Sequence, residues 1–290
     1  MKYFRNEPLA KHTTFKIGGP AKYFCAPGNI NELRKALRFA RENKLKVSII
    51  GAGSNLLISD KGFDGLVIKP QMSEVVVKGT NVIAGAGVPV QHLLNMLAKK
   101  GLSGLEFMTG IPGSVGGSIY MNAGTGENEI GKKVLKVWAL DLKGKERILA
   151  VKYCKFGYRK STFQNGKLII TKAQFKLKRA KLSDIKAQIK DLWKKRLAKQ
   201  PYNMPSAGSI FKNPKGDYAG RLIETVELKG LRIGDAQVSK KHANFIVNLG
   251  RAKEKDVKKL IALIQQEVKK KFNIKLETEV KPQVALKLNS

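Results

Sequence analysis

Cysteine is nearly absent from this chain: Cys25 and Cys154 are the only two, far apart and without a CxxC or Cys/His spacing. That excludes a disulfide framework and a zinc finger, and leaves two ordinary reduced thiols. Neither His12 nor His92 has a partner at metal-ligand spacing, so no metal site is expected. Long apolar runs are missing too, so neither a spanning helix nor a signal peptide is expected, and a cytoplasmic location follows by default. Acidic residues are scarce: 22 Asp and Glu face 56 Lys and Arg, a formal net charge of +34. Such an excess attracts nucleic acid, acidic membranes and phosphorylated small molecules alike. Much of the lysine, however, decorates helical patterns such as 253–271, where Val257, Leu260, Ile261, Ile264 and Val268 form the apolar stripe. With no RNP-like aromatic strand and no finger spacing, neither specific nucleic-acid recognition nor a membrane partner is expected.

What is present is an alternation of short strands and helices in 290 residues, enough for two or three cores, which reads as α+β. A helical stripe at Leu33, Ala36, Leu37 and Ala40 precedes the apolar run Val47 to Ile50. Short strands follow at Leu56 to Ser59, Leu66 to Lys69, Val75 to Lys78 and Val82 to Ala84, and then a helix opening at Pro89. From Val134 to Lys178 the pattern is mainly strand. Ser183 to Lys199 is helical with Ile185, Ile189 and Leu192 facing inward, and Gln200-Pro-Tyr-Asn-Met-Pro205 breaks it as the expected domain linker.

Two glycine-rich stretches carry the first chemical signal: Gly51-Ala-Gly53-Ser54-Asn55, and Gly110-Ile111-Pro112-Gly113-Ser114-Val-Gly116-Gly117 followed by Asn122-Ala123-Gly124. Loops of this kind let backbone N–H groups approach phosphate oxygens without obstruction. Either could equally be a turn between packed elements, but two of them with a basic excess favour an extended diphosphate ligand. The first stretch lacks the third glycine of a dinucleotide fingerprint and is followed by a strand pattern, which argues against a Rossmann site. Gly126 to Lys133 nearly spells a P-loop, yet Lys133 stands where Ser or Thr should bind metal, so it reads as a surface loop.

Six ordered motifs resemble one family. They are His12-Thr-Thr-Phe-Lys-Ile-Gly-Gly19, Gly51-Ala-Gly-Ser-Asn-Leu56-Leu57, Gly110 to Gly117, Phe156-Gly-Tyr158-Arg159 with Ser161, Ala207-Gly-Ser209-Ile-Phe-Lys-Asn213-Pro214, and Leu276-Glu-Thr-Glu279-Val280. On these the chain is identified as a member of the UDP-N-acetylenolpyruvoylglucosamine reductases, flavoenzymes that complete UDP-N-acetylmuramate for peptidoglycan, in their compact subclass. The resemblance implies non-covalent FAD held between two N-terminal lobes of the vanillyl-alcohol-oxidase (PCMH) type, with NADPH as hydride donor and a UDP-linked substrate. The expected lobes are 1–70 and 71–200, followed by a C-terminal α+β substrate domain at 201–280; a monomer is expected.

The resemblance also assigns roles. Gly51, Gly53, Ser54, Asn55, Leu56, Ile111 to Ser114, Gly116, Gly117 and Asn122 to Gly124 would hold FAD. Arg159 would face the substrate carboxylate, where a planar guanidinium suits a developing dianion. Glu279 would assist in its protonated form, a state that burial favours. Ser209 would deliver a proton to the α-carbon, tuned by Lys212 or a water. Tyr158, Lys199, Asn213 and Gln237 would contact substrate, and His242 would serve packing. Without the motifs, Arg159 reads as one surface cation among many, Ser209 as a turn hydroxyl and Glu279 as a solvent-facing strand residue. The end departs from the family's Glu-Val-Arg and glycine turn: it runs Val280-Lys281-Pro282-Gln283, so Pro282 is expected to constrain a tail, 281–290, that returns to the first lobe. Two other readings stay open, a flavin oxidase or dehydrogenase of the same fold and a basic nucleic-acid-binding protein.

Overall fold

The computed structural model describes residues 1–286; the last part of the expected tail, 287–290, lies outside the described residues. In the first lobe, strands β1 (Phe4–Pro8), β2 (Pro20–Cys25), β3 (Lys46–Ile49) and β5 (Phe63–Ile68) form a sheet in the order β1-β2-β5-β3, with the short β4 (Leu56–Leu57) outside it. The β2, β5 and β3 strands are parallel, which requires a crossover; helix α1 (Ile30–Glu42) supplies it. Asn29 caps α1 by accepting from the Glu32 N–H at 2.9 Å, and Leu33, Ala36, Leu37 and Ala40 are fully buried.

The second lobe is an antiparallel sheet of β6 (Val75–Lys78), β7 (Asn81–Gly85), β8 (Val134–Asp141), β9 (Glu146–Ala150) and β10 (Leu168–Lys176), in the order β9-β8-β10-β7-β6. Helices α2 (Val90–Lys99) and α3 (Val115–Met121) cover its apolar face. The strand-like stretch expected from Val134 to Lys178 is broken by 3-10 turns at Val151–Cys154 and Thr162–Asn165, and the second of these follows Arg159. The hairpin around Gly126 is exposed as expected of a surface loop, but Ile130 and Gly131 beyond it are buried.

Helix α4 (Leu182–Lys199) corrects one expectation. Only Ile185 is buried, while Ile189 and Leu192 are half-exposed, because the helix lies on the outside of α2 and the turn Glu106–Met108 rather than under a sheet. In the C-terminal unit, β11 (Ser206–Ser209), β12 (Arg232–Ile233), β13 (Ala236–Val238) and β14 (Phe245–Asn248) pair in the order β11-β14-β13-β12. The helices α5 (Ala219–Thr225) and α6 (Glu254–Phe272) pack on it, and Val257, Leu260, Ile264 and Val268 form the buried stripe of α6.

Two cores join the units. Phe15, Ile17 and Leu57 of the first lobe are buried with Ile210, Phe211, Leu222 and Leu260 of the C-terminal unit. Leu140, Leu142 and Ile169 of the second lobe pack with Leu33, Leu37 and Val47 of the first. After Glu279 the chain crosses back to the first lobe. Its final strand β15 (Lys281–Pro282) runs parallel to β4, with the Lys281 N–H donating to Asn55 O at 3.0 Å. Pro282 ends this strand, having no N–H to continue it, and the Leu286 N–H then donates to Val47 O.

Candidate active site

A cleft of about 940 Å³ opens where the two lobes and the C-terminal unit meet, near the upper end of the roughly 300–1,000 Å³ usual for small-molecule sites. The loop between β3 and β4 forms one wall and the loop entering α3 another. Gly51 and Gly53 are dictated by this closeness: a methyl on Gly51 would stand 2.9 Å from Ser114 Oγ, and Gly53, at φ +68°, would overlap the His12 carbonyl. Ser114 caps α3 by accepting from the Gly117 N–H. Of the residues expected to hold cofactor, Gly51, Gly53, Ser54, Asn55, Leu56, Ile111, Pro112, Gly113, Ser114, Gly116, Gly117, Ala123 and Gly124 all line the cleft.

Asn122 does not. It is fully buried in a left-handed conformation at the end of α3, donating to Glu129 and to Gly157 O and accepting from the Gly131 N–H, so it braces the hairpin behind the cleft wall.

Arg159 sits at the third position of the four-residue turn Gly157–Lys160, at φ +54°. Left-handed backbone at a non-glycine residue must be held in place by its surroundings. Here the Gln164 amide donates to the Arg159 carbonyl at 3.0 Å and to Tyr120 O at 2.9 Å, and the Ser161 hydroxyl also donates to Tyr120 O. The guanidinium donates through Nε to Glu279 Oε1 at 2.5 Å and through Nη2 to Gly124 O at 3.1 Å. Glu279 arrives from the opposite side because its N–H donates to the carbonyl of Ile210, the residue after Ser209. All three residues, Arg159, Ser209 and Glu279, therefore line the same cleft.

Burial pushes the Glu279 carboxyl above its usual range, and the neighbouring Arg159 offsets only part of that effect. Lys212, expected with a water as the group that tunes Ser209, pairs its ammonium with Glu277 at 2.9 Å.

The expected substrate contacts divide. Tyr158 and Asn213 meet each other, the Asn213 N–H donating to the Tyr158 hydroxyl at 3.1 Å, and the Arg159 guanidinium lies over the Tyr158 ring. Neither lines the cleft; Asn213 Oδ1 caps α5 by accepting from the Ala219 N–H. Gln237 lines a separate cavity of about 350 Å³ behind Gln200 to Met204, and donates to Gly230 O. Lys199 lies exposed at the end of α4, outside both cavity walls, because the helix turns it outward. Gln200 to Pro205, expected as a linker, walls the main cleft, and the Tyr202 hydroxyl donates to Gly110 O at 2.5 Å. His242 packs on Phe245 and accepts from the Asn244 N–H; burial holds its pKa below the ordinary value.

Sequence reasoning missed several cleft residues. Lys69, just after β5, is half-buried with its pKa lowered by desolvation, and the Tyr120 phenol is raised by the same cause. Arg196 also lines the cleft and donates to Phe107 O. Its signal was available, since 185, 189, 192 and 196 fall on one helical stripe. Among the described residues, Lys11, Lys16, Lys69, Arg159, Arg196 and Lys281 face the cleft against the single carboxylate of Glu279, which selects an anionic ligand. No group of three or more His, Cys, Asp or Glu among the described residues could hold a metal, and none of their helices is long and apolar enough to cross a membrane.

Two lobes closing on a cationic, glycine-walled cleft define an FAD-binding protein, and residues 21–149 match the family profile described as FAD binding domain. Residues 200–282 match the profile of the UDP-N-acetylenolpyruvoylglucosamine reductase C-terminal domain. The chain belongs to the UDP-N-acetylenolpyruvoylglucosamine reductase family. It is 44% identical over 281 residues to such a reductase of Caldanaerobacter subterraneus subsp. tengcongensis, covering 97% of this chain and 93% of the relative. The Thermotoga maritima reductase is 45% identical over 276 residues, covering 94% and 96%. The crystal structure of the Thermus caldophilus reductase superposes with a TM-score of 0.84 at 36% identity, over 97% of this chain and 98% of that one. Physcomitrella patens BBE-like 1, at 14% identity and a TM-score of 0.50 over 61% of this chain and 42% of that one, shares the fold alone.

Proposed function

We propose that the chain is an FAD- and NADPH-dependent reductase that converts UDP-N-acetylenolpyruvoylglucosamine to UDP-N-acetylmuramate, a cytoplasmic step of cell-wall precursor synthesis. The observation that carries this reading is the Arg159–Glu279 pair, held at 2.5 Å in a cleft that Ser209 also lines. The residues fit a non-covalently held dinucleotide. Glycine-walled loops admit a diphosphate, the cleft is cationic, and His12, the histidine among its lining residues, is engaged with Glu7 at 2.9 Å. When bound, FAD supplies the hydride, taken from NADPH and delivered to the β-carbon of the enol ether.

The chain's own residues then manage charge and proton. As the β-carbon gains hydride, negative charge accumulates on the substrate carboxylate and its α-carbon. Arg159 is fixed in advance by Glu279, Gly124 and the Gln164 brace, so its remaining N–H groups meet that charge without reorganising. Burial pushes the Glu279 carboxyl toward its protonated form, and in that form it adds a donor instead of a repelling charge. The Ser209 hydroxyl delivers the proton to the α-carbon. Tyr158 and Asn213 hold the Arg159 turn against the C-terminal unit, and the Gln237 cavity takes part of the UDP portion.

The test is product analysis. Protein incubated with NADPH and UDP-N-acetylenolpyruvoylglucosamine should yield a product heavier by two hydrogens, with deuterium at the α-carbon when the reaction runs in heavy water. Oxidation of NADPH with no change in the UDP sugar would refute the assignment.

A further inference from the structure

The final described segment of the chain, 281–286, does more than close the fold. It is pinned at both ends. At one end the Lys281 N–H donates to Asn55 O, while the Asn55 amide donates back to Glu279 O at 3.1 Å. At the other, the Leu286 N–H donates to Val47 O, and the Leu286 side chain joins the core formed by Leu33, Leu37 and Val47. Leu286 also reaches the second lobe, lying 3.4 Å from where a methyl on Gly166 would stand. The segment thus spans both lobes directly beside the glycine loop Gly51 to Asn55, with Gln283 between its two anchors and lining the cleft.

Gln283 holds its side-chain nitrogen out of solvent, and that nitrogen has no hydrogen-bond partner among the described residues. A primary amide nitrogen carries two donors, and native proteins seldom leave a buried donor unpaired. The backbone is held by the Lys281 and Leu286 hydrogen bonds, while the side-chain torsions of Gln283 stay free to turn its amide nitrogen into the cleft that the residue lines.

We propose that Gln283 is a cofactor-binding residue: its amide donates to an acceptor atom of bound FAD, so that the tail straps the cofactor into the cleft. This rests on the flavin reading above.

The test is FAD titration of the apoprotein, followed by quenching of flavin fluorescence, with the thermal midpoint of each apoprotein measured alongside. Gln283→Leu preserves bulk and removes both donors; its FAD Kd should rise roughly tenfold, the loss expected of one buried hydrogen bond. Gln283→Glu should weaken FAD further, since a carboxylate presents only acceptors to an acceptor. The Leu apoprotein should melt no lower than wild type, because the unpaired amide contributes nothing until the ligand arrives. Repeating the titration with FMN locates the contact. A loss for FAD alone assigns it to the adenylate half, and a loss for both to the flavin half; either outcome supports the proposal. Wild-type affinity in the Leu variant overturns it, as does weaker FAD binding matched by a lower apoprotein midpoint. A wild-type protein that binds no FAD at all overturns the flavin reading itself and this inference with it.

Discussion

Replacing Arg159 with Met removes three interactions at once: the Nε bond to Glu279, the Nη2 bond to Gly124 O and the cation over Tyr158. Stranding a buried carboxylate would cost about 3–5 kcal/mol, and these two side chains are only 17% and 14% exposed. Burial already raises the Glu279 pKa, however, so the carboxyl takes up a proton instead of remaining charged and alone. The stability loss should therefore be nearer that of one charged hydrogen bond plus a modest cation–π contact, about 2–4 kcal/mol. The kinetic effect is more selective. In the proposed role Arg159 meets charge that develops on the substrate, so its removal should slow oxidation of the reduced enzyme by the enolpyruvyl substrate by roughly 10²–10³-fold. Reduction of the enzyme by NADPH should be nearly unchanged. Anaerobic stopped-flow absorbance resolves the two half-reactions, and Arg159→Lys should recover part of the loss by restoring charge without the planar fork. Equal slowing of both half-reactions would refute the assigned role, as would an unaffected oxidative step.

Three further outcomes follow from the geometry. Because the Glu279 pKa is raised on folding, its contribution to stability is greatest below the unfolded-chain value and declines as pH rises through the folded one; substrate-driven oxidation should decline over the same alkaline limb. Glu279→Gln should flatten that limb in a pH-rate profile at a maximum roughly ten- to a hundredfold lower, whereas an unchanged limb would show that another group titrates. Burial pushes the Cys25 thiol up to about 12 and Cys154 to about 11, so neither should react with a thiol reagent near neutral pH until denaturant is added; rapid native labelling would contradict their packing. Gly53→Ala should abolish FAD retention or folding, because the new methyl meets the His12 carbonyl at a left-handed φ; a variant with normal flavin content would show that the loop relaxes freely.

Local signals carried much of the fold. The 3.6-residue stripes of α1 and α6 and the turn glycines between β3 and β4 lie where periodicity and punctuation put them. Periodicity identifies a face without saying what covers it, which is why α4 shows the right stripe and yet leaves Ile189 and Leu192 half-exposed. The central site is long-range: Arg159 and Glu279 are 120 positions apart, and no spacing argument joins them, so the motif resemblance alone put them on one page. The same resemblance grouped Asn122 with the cofactor loop, although its amide is spent on Glu129 and Gly131. Gln283 left no local signature at all, because an unpaired donor is defined by what the surrounding fold fails to offer it.

The central claim is that this cleft holds a flavin that a UDP-linked enolpyruvyl sugar reoxidises. Purified protein, reconstituted with FAD if necessary and reduced anaerobically with NADPH, should regain its oxidised visible spectrum rapidly when UDP-N-acetylenolpyruvoylglucosamine is added. A reduced spectrum that persists in the presence of that sugar and recovers only on admitting oxygen would contradict the account.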